Sequence, residues 1–129
     1  MSTPDLAALV PLAGLLGIEV SHAEPDEVRG RMDWAAERCT AAGVMHGGAL
    51  MAFADTLGGV CAFLNIEGGG TTATVESKTN FFRAVREGHV DGIARPLHSG
   101  RSFIVVQTNV YDADERHVAQ VTQTQAVLR

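Results

Sequence analysis

One long apolar stretch constrains the fold of this chain more than any other feature. It runs from Met45 to Asn65, and between Gly47 and Leu64 polar side chains occur only at Asp55 and Thr56. A helix that is apolar on all sides is normally a buried helix. We therefore predict a central buried helix, with the rest of the chain wrapped around it.

The same stretch has nearly the length of a membrane span, which needs about 20 predominantly apolar residues. Asp55 in its middle and the absence of flanking Lys or Arg clusters argue against a span. The segment from Met1 to Gly17 carries Asp5 and lacks a basic leader, so we do not interpret it as a signal peptide. We expect a cytoplasmic protein with no membrane partner.

The start of the predicted helix has the sequence His46-Gly47-Gly48. The first N–H groups of a helix have no intrahelical acceptor and lie at the positive end of the helix dipole. Because the two glycines carry no side chain, an anion or a developing oxyanion can approach these N–H groups. We predict an anion-stabilising site at this helix end.

Asp55 is the second chemical feature of the helix. Positions one turn away on either side hold no basic residue. An unpaired buried carboxylate is costly, so we predict that Asp55 is kept for catalysis. The alternative is an ordinary aspartate on a helix surface that faces solvent.

The rest of the chain predicts strands on both sides of the helix. Ile18–Ala23 and Glu27–Trp34 are predicted as two strands joined by a turn at Glu24-Pro25-Asp26, and the second strand alternates in polarity. Two strands, a helix and four strands predict a single α+β domain over residues 1–129, with an antiparallel sheet. The four later strands are predicted over Thr71–Phe82, His89–Leu97, Ser102–Tyr111 and His117–Leu128.

A short amphipathic helix is predicted ahead of the first strand. Thr3 would cap it, and Pro4 suits its first position. Pro11 would split this helix, and Gly14 and Gly17 would end it.

Composition narrows the possible partners and cofactors. The net charge of −5 argues against nucleic acid as a partner. Cys39 and Cys61 have neither zinc-site nor redox-motif spacing. Two free thiols suit a cytosolic protein, and the alternative is a disulfide that the fold does not need. His46 and Asp55 are too far apart along one helix to share a metal. We predict no metal and no separate cofactor.

The pattern His46-Gly47-Gly48 followed by Asp55 resembles the hotdog-fold acyl-CoA thioesterases of the phenylacetate-degradation type. The resemblance covers about Leu15 to Val127, and the segments Asn80–Gly88 and Gly100-Arg101 add weaker matches. It implies the hotdog fold, in which a curved antiparallel sheet, here of five or six strands, wraps one long helix. It also implies hydrolysis of a thioester to a free acid and coenzyme A, the coenzyme arriving as part of the substrate.

The resemblance also implies roles for single residues. Asp55 would be the nucleophile or the general base, and the Gly47 N–H would be the oxyanion donor. Gly48 would line the substrate site, and His46 would either contact substrate or cap and pack the helix. Thr40 is a further substrate-binding candidate, at a position where relatives often carry Asn or Gln. Thr74 would orient the acid or water. The candidates for binding the coenzyme A phosphates are Arg83, Arg86, His98, Ser99 and Arg101.

Helix geometry predicts that the site is shared between two chains. Gly47 and Asp55 are eight residues apart, which is roughly 12 Å along a helix, whereas reacting atoms must come within about 3–3.5 Å. Two antiparallel helices in a homodimer would bring them together, with Gly58 and Gly59 allowing close approach. The family resemblance implies such dimers, and we also expect a homotetramer. The alternative functions are a hotdog hydratase or dehydratase and a non-catalytic acyl-CoA sensor or carrier domain.

Overall fold

The computed structural model describes residues 5–129, apart from the side chains of Leu6 and Ala7. Within these residues, six strands form one antiparallel sheet in the order β1-β2-β4-β5-β6-β3, with the long helix α3 packed on its inner face. The predicted α+β architecture is confirmed. The elements are α1 (Leu6–Leu9), α2 (Pro11–Leu16), β1 (Glu19–Glu24), β2 (Glu27–Asp33), α3 (Gly47–Leu64), β3 (Thr71–Phe81), β4 (His89–Ser99), β5 (Phe103–Asp112) and β6 (His117–Leu128).

The helix α3 approaches the sheet closely where two strands carry facing glycines. Gly30 on β2 pairs with Gly92 on β4. A Cβ atom built on either glycine would lie 2.6 Å from a methyl carbon of Leu57, and one on Gly92 would lie 2.8 Å from the Phe53 ring. Both helix side chains are fully buried. The paired glycines therefore make the space into which the largest side chains of the helix pack.

The outer side of α3 is open in the single chain. Met51 is 40% exposed, Phe63 is 54% exposed, and Asp55 is also exposed. The expectation that this helix is buried on all sides is therefore wrong for one chain, because the sheet covers the helix from one side. By length and composition this helix alone, among the described residues, meets the requirements of a membrane span. Its inner face instead forms the core with the sheet.

The strand β3 leaves a second surface open. Its eleven residues pair with β6 along one edge, and the other edge has no strand partner within residues 5–129. Unpaired edges of this length are usually covered or blunted in soluble proteins. The edge of β3 and the outer side of α3 are thus both open in the single chain.

The N-terminal segment differs in detail from the sequence prediction. Pro11 separates α1 from α2, as predicted, and Gly17 ends α2 in a left-handed conformation with φ of 66°. Gly14 lies inside α2 rather than at its end. The predicted roles of Thr3 and Pro4 lie outside the described residues.

Candidate active site

Asp55 is held by side chains from two neighbouring strands. Thr74 Oγ1 on β3 donates to Asp55 Oδ1 at 3.2 Å, and Gln123 Nε2 on β6 donates to the same oxygen at 3.1 Å. Gln125 Nε2 in turn donates to Thr74 Oγ1 at 2.7 Å. Among the described residues, Asp55 Oδ2 has no such partner and remains available to a water or a substrate.

Gln123 and Gln125 are site residues that the sequence reasoning missed. Both side chains are buried, and they lie on the inner face of β6 in phase with buried Val121. Buried polar side chains need partners, so an amide in the apolar phase of a strand signals a polar contact in the core. Gln123 and Gln125 lie two and four residues after Val121, so all three side chains share one face of the strand. This spacing is the sequence signal that could have identified them.

Gly58 gives Gln123 the room to reach Asp55. A Cβ built on Gly58 would lie 2.0 Å from Gln123 Oε1, an atom that is buried without a hydrogen-bond partner within the described chain. The expectation that Gly58 faces a partner helix is therefore wrong, because Gly58 faces the sheet. Gly59 is different, since its Cβ would meet no described heavy atom within 4 Å.

This contrast predicts opposite effects of two alanine substitutions. We expect Gly58→Ala to lower the free energy of unfolding by about 1–3 kcal/mol, because the new methyl displaces a packed amide. The matched variant Gly59→Ala should be neutral or stabilise by about 0.4–1 kcal/mol, because it restricts the unfolded chain without a clash. Urea unfolding of the three proteins measures both values. Equal stability of the two variants would contradict this account of Gly58.

His46 caps the helix that carries Asp55. Its Nδ1 accepts a hydrogen bond from the Gly48 N–H at 2.7 Å. The neutral ring that accepts at Nδ1 carries its proton on Nε2, and the side chain is exposed. The Gly48 N–H is thus occupied by the cap, and His46 keeps one donor for a ligand.

The Gly47 N–H has no acceptor among residues 5–129. The ring of Phe81 borders this position, since a Cβ on Gly47 would lie 3.2 Å from Phe81 Cζ. The candidate Thr40 lies in the loop before the helix, where its side chain is exposed and its N–H donates to the Val44 carbonyl. The helix start therefore offers one free backbone donor with an aromatic ring beside it.

Asp55 opens onto an apolar cleft of about 580 Å³. The N-terminal segment, the outer side of α3 and the start of β3 form its walls. The cleft has room for an apolar group beside the Asp55 carboxylate. Its lining residues are Leu9, Val10, Ala23, Asp55, Thr56, Gly59, Val60, Phe63, Leu64, Thr71, Thr72, Thr74 and Gln125.

The candidate phosphate-binding residues separate into two places in one chain. Arg83 and Arg86 flank Val85, whose carbonyl accepts from the Met45 N–H at the start of the helix region. Ser99 and Arg101 instead line a cleft of about 340 Å³ at the far end of α3, together with Arg129. There the Arg129 guanidinium donates to the Arg101 carbonyl at 3.3 Å. His98 precedes this second group and is exposed.

The Cys61 thiol does not suit nucleophilic chemistry at this site. Burial raises the pKa of the Cys61 thiol to about 11, with a smaller contribution from the negative charge of Asp26. Cys61 is therefore a protonated core residue at neutral pH. Within residues 5–129, no three His, Cys, Asp or Glu side chains gather where they could hold a metal ion.

Comparison with known proteins identifies the class. Residues 42–119 match the model of the thioesterase superfamily. The 1,4-dihydroxy-2-naphthoyl-CoA hydrolase of Escherichia coli is 31% identical over 117 residues, which cover 91% of this chain and 86% of that protein. A thioesterase of Haemophilus influenzae aligns with a TM-score of 0.88 and 28% identity, over 99% of this chain and 93% of the other.

The structure of the Escherichia coli PaaI protein from the phenylacetic acid degradation operon aligns with a TM-score of 0.87, over 96% of this chain and 88% of that one. At 19% identity this likeness bears on the fold alone. The fold is the hotdog fold that the family resemblance implied, and the chain belongs to the thioesterase superfamily. It is a thioester hydrolase.

Proposed function

We propose that this chain hydrolyses an acyl-CoA thioester to a free acid and coenzyme A, with Asp55 as the acid–base or nucleophilic group. The observation that carries the proposal is Asp55 at the wall of an apolar cleft, with Oδ1 held by Gln123 and Thr74 and Oδ2 free among the described residues. A carboxylate fixed in this way can act on a carbonyl whose acyl group fills the cleft.

Two chemical routes are compatible with this geometry. In the first, Asp55 Oδ2 takes a proton from water while the water oxygen attacks the carbonyl carbon. In the second, Oδ2 itself attacks, and water then hydrolyses the resulting anhydride. In both routes the C–S bond breaks, and the thiolate of coenzyme A leaves and takes up a proton. A helix N–H donor would stabilise the oxyanion that forms before this step.

We propose that this donor is the Gly47 N–H of a second copy of the chain. Within one helix the two groups are roughly 12 Å apart, as eight residues of rise require. The exposed outer side of α3 and the free edge of β3 support a homodimer in which two helices run antiparallel. We also propose that such dimers pair further into a homotetramer. The two free cysteines fit a cytoplasmic protein.

A substrate panel tests the proposed function. Purified protein is mixed with acetyl-, octanoyl- and benzoyl-CoA in the presence of a thiol reagent. We expect thiol release well above the uncatalysed rate for at least one ester. Tight binding of acyl-CoA without thiol release would instead assign the chain to the non-catalytic binding domains.

The cleft that contains Arg101 gives a prediction about coenzyme A. If Arg101 binds a phosphate, Arg101→Ala should raise KM for acyl-CoA by about tenfold and leave kcat nearly unchanged, because the lost contact lies far from the carbonyl. A truncated thioester without the nucleotide should show no such change. Arg31→Ala is the matched control, because Arg31 is an exposed arginine paired with Asp91 and lines neither this cleft nor the one beside Asp55. Equal losses on both substrates would assign Arg101 a structural role.

A further inference from the structure

We infer that Gly59 determines how long an acyl group the cleft beside Asp55 accepts. The inference rests on the proposed function, since it concerns the substrate of the same site. Gly59 lines the cleft, and a Cβ built on it would meet no described heavy atom within 4 Å. A side chain at this position would therefore project into the cleft rather than into the protein core.

The residues Asp55, Gly59 and Phe63 form one row along the outer side of α3. They are spaced by four residues, so they lie one above another on the same helix face. At 1.5 Å per residue, Gly59 lies about 6 Å beyond Asp55 and Phe63 about 12 Å beyond it. An acyl chain whose carbonyl lies at Asp55 and which follows this row passes Gly59 halfway along. Short acyl groups end before Gly59.

The cleft lining also specifies the chemistry of the acyl group. Apart from Asp55, the residues that line it carry no charged side chain, and their polar groups are threonine hydroxyls and the amide of Gln125. A second negative charge on the acyl group would lack a cationic partner there and would face Asp55. The cleft thus fits an uncharged apolar acyl group, whose burial becomes more favourable with each methylene.

Gly59 has a competing interpretation, which the experiment must separate from this one. It lies on the open side of α3, so a partner helix could pack directly against it. A large side chain would then disrupt the assembly and lower activity on all substrates together. A loss of activity that is confined to long acyl groups, in a variant whose assembly is intact, is expected only if Gly59 faces the acyl group.

The test compares wild type, Gly59→Val and Gly59→Leu on acetyl-CoA and octanoyl-CoA. We expect the ratio of kcat/KM for octanoyl-CoA to that for acetyl-CoA to fall by about tenfold or more in Gly59→Leu and by less in Gly59→Val, as added methylenes in an apolar site do. Met51→Leu is the control, because it places the same side chain one turn to the other side of Asp55, outside the cleft lining. Its ratio should match wild type. Light scattering measures the assembly of each variant.

Parallel losses on both substrates, or dissociation of the Gly59→Leu assembly, would overturn the inference. If Gly59→Leu does not fold, Gly59→Val serves as the test. A ratio of kcat/KM for octanoyl-CoA to that for acetyl-CoA equal to the wild-type ratio would then overturn the inference. Wild-type protein that hydrolyses neither ester, nor benzoyl-CoA, would overturn the proposed function itself. The two failures are therefore distinguishable.

Discussion

Replacing Asp55 with Asn should lower kcat by about 10²–10⁴-fold, the usual range for a positioned acid or base. The amide retains an Oδ1 that can accept from Thr74 and Gln123, so the hydrogen bonds that hold the side chain survive. The substitution changes Asp55 Oδ2, the oxygen that has no hydrogen-bond partner among the described residues. An NH₂ group, which donates hydrogen bonds, replaces this basic oxygen. The fold should therefore persist while turnover is lost.

Asp33→Asn is the matched control, because Asp33 is exposed at the end of β2 and does not line the cleft. It should retain full turnover. Unfolding midpoints of both variants close to that of wild type would show that the loss is chemical. Near-full turnover in Asp55→Asn would remove Asp55 from the reaction.

Mixing two inactive variants should restore about a quarter of wild-type activity if the site is shared between chains. The variants are Asp55→Ala and Gly47→Pro. Proline removes the Gly47 N–H and is tolerated at the first position of a helix, which Gly47 occupies. Phe81, whose ring borders this position, is half exposed and can move.

The expected recovery follows from counting sites. After dissociation and reassembly of equal amounts, half of the dimers contain one chain of each kind. In each mixed dimer one site has both groups intact and the other has both lesions, so about a quarter of all sites work. If both groups acted from the same chain, every site would keep a lesion and no activity would return. A tagged chain confirms that exchange has occurred.

The order of elements was predictable from the sequence because its signals are local. The long apolar stretch predicted the helix. Alternation in polarity, Thr- and Val-rich composition and turn residues predicted the six strands, with every end within about two residues of its observed position. At β4 the strand runs on to Ser99, beyond the predicted end at Leu97, since a bulge between Pro96 and His98 lets pairing continue. Proline disfavours a strand interior, and the bulge accommodates it.

The surroundings of Asp55 were less predictable because they depend on contacts that are distant in sequence. Its isolation in an apolar helix predicted a buried carboxylate without a partner. In the single chain Asp55 is instead exposed and hydrogen-bonded to Thr74 and Gln123, because the sheet covers only one side of the helix. Gln123 is 68 residues away from Asp55, and its role became visible only from the strand register. The orientation of α3 on the sheet likewise places Gly58 against Gln123 and leaves Gly59 at the cleft.

The most direct test of this account measures binding and both reaction products on the same preparations. Wild type and Asp55→Asn are each incubated with the best acyl-CoA of the panel, and free acid, coenzyme A and bound ester are quantified. The account predicts equal amounts of acid and coenzyme A from wild type, and retained binding with turnover lowered at least about 100-fold in Asp55→Asn. Binding by both proteins with product from neither, or equal product from both, would contradict it.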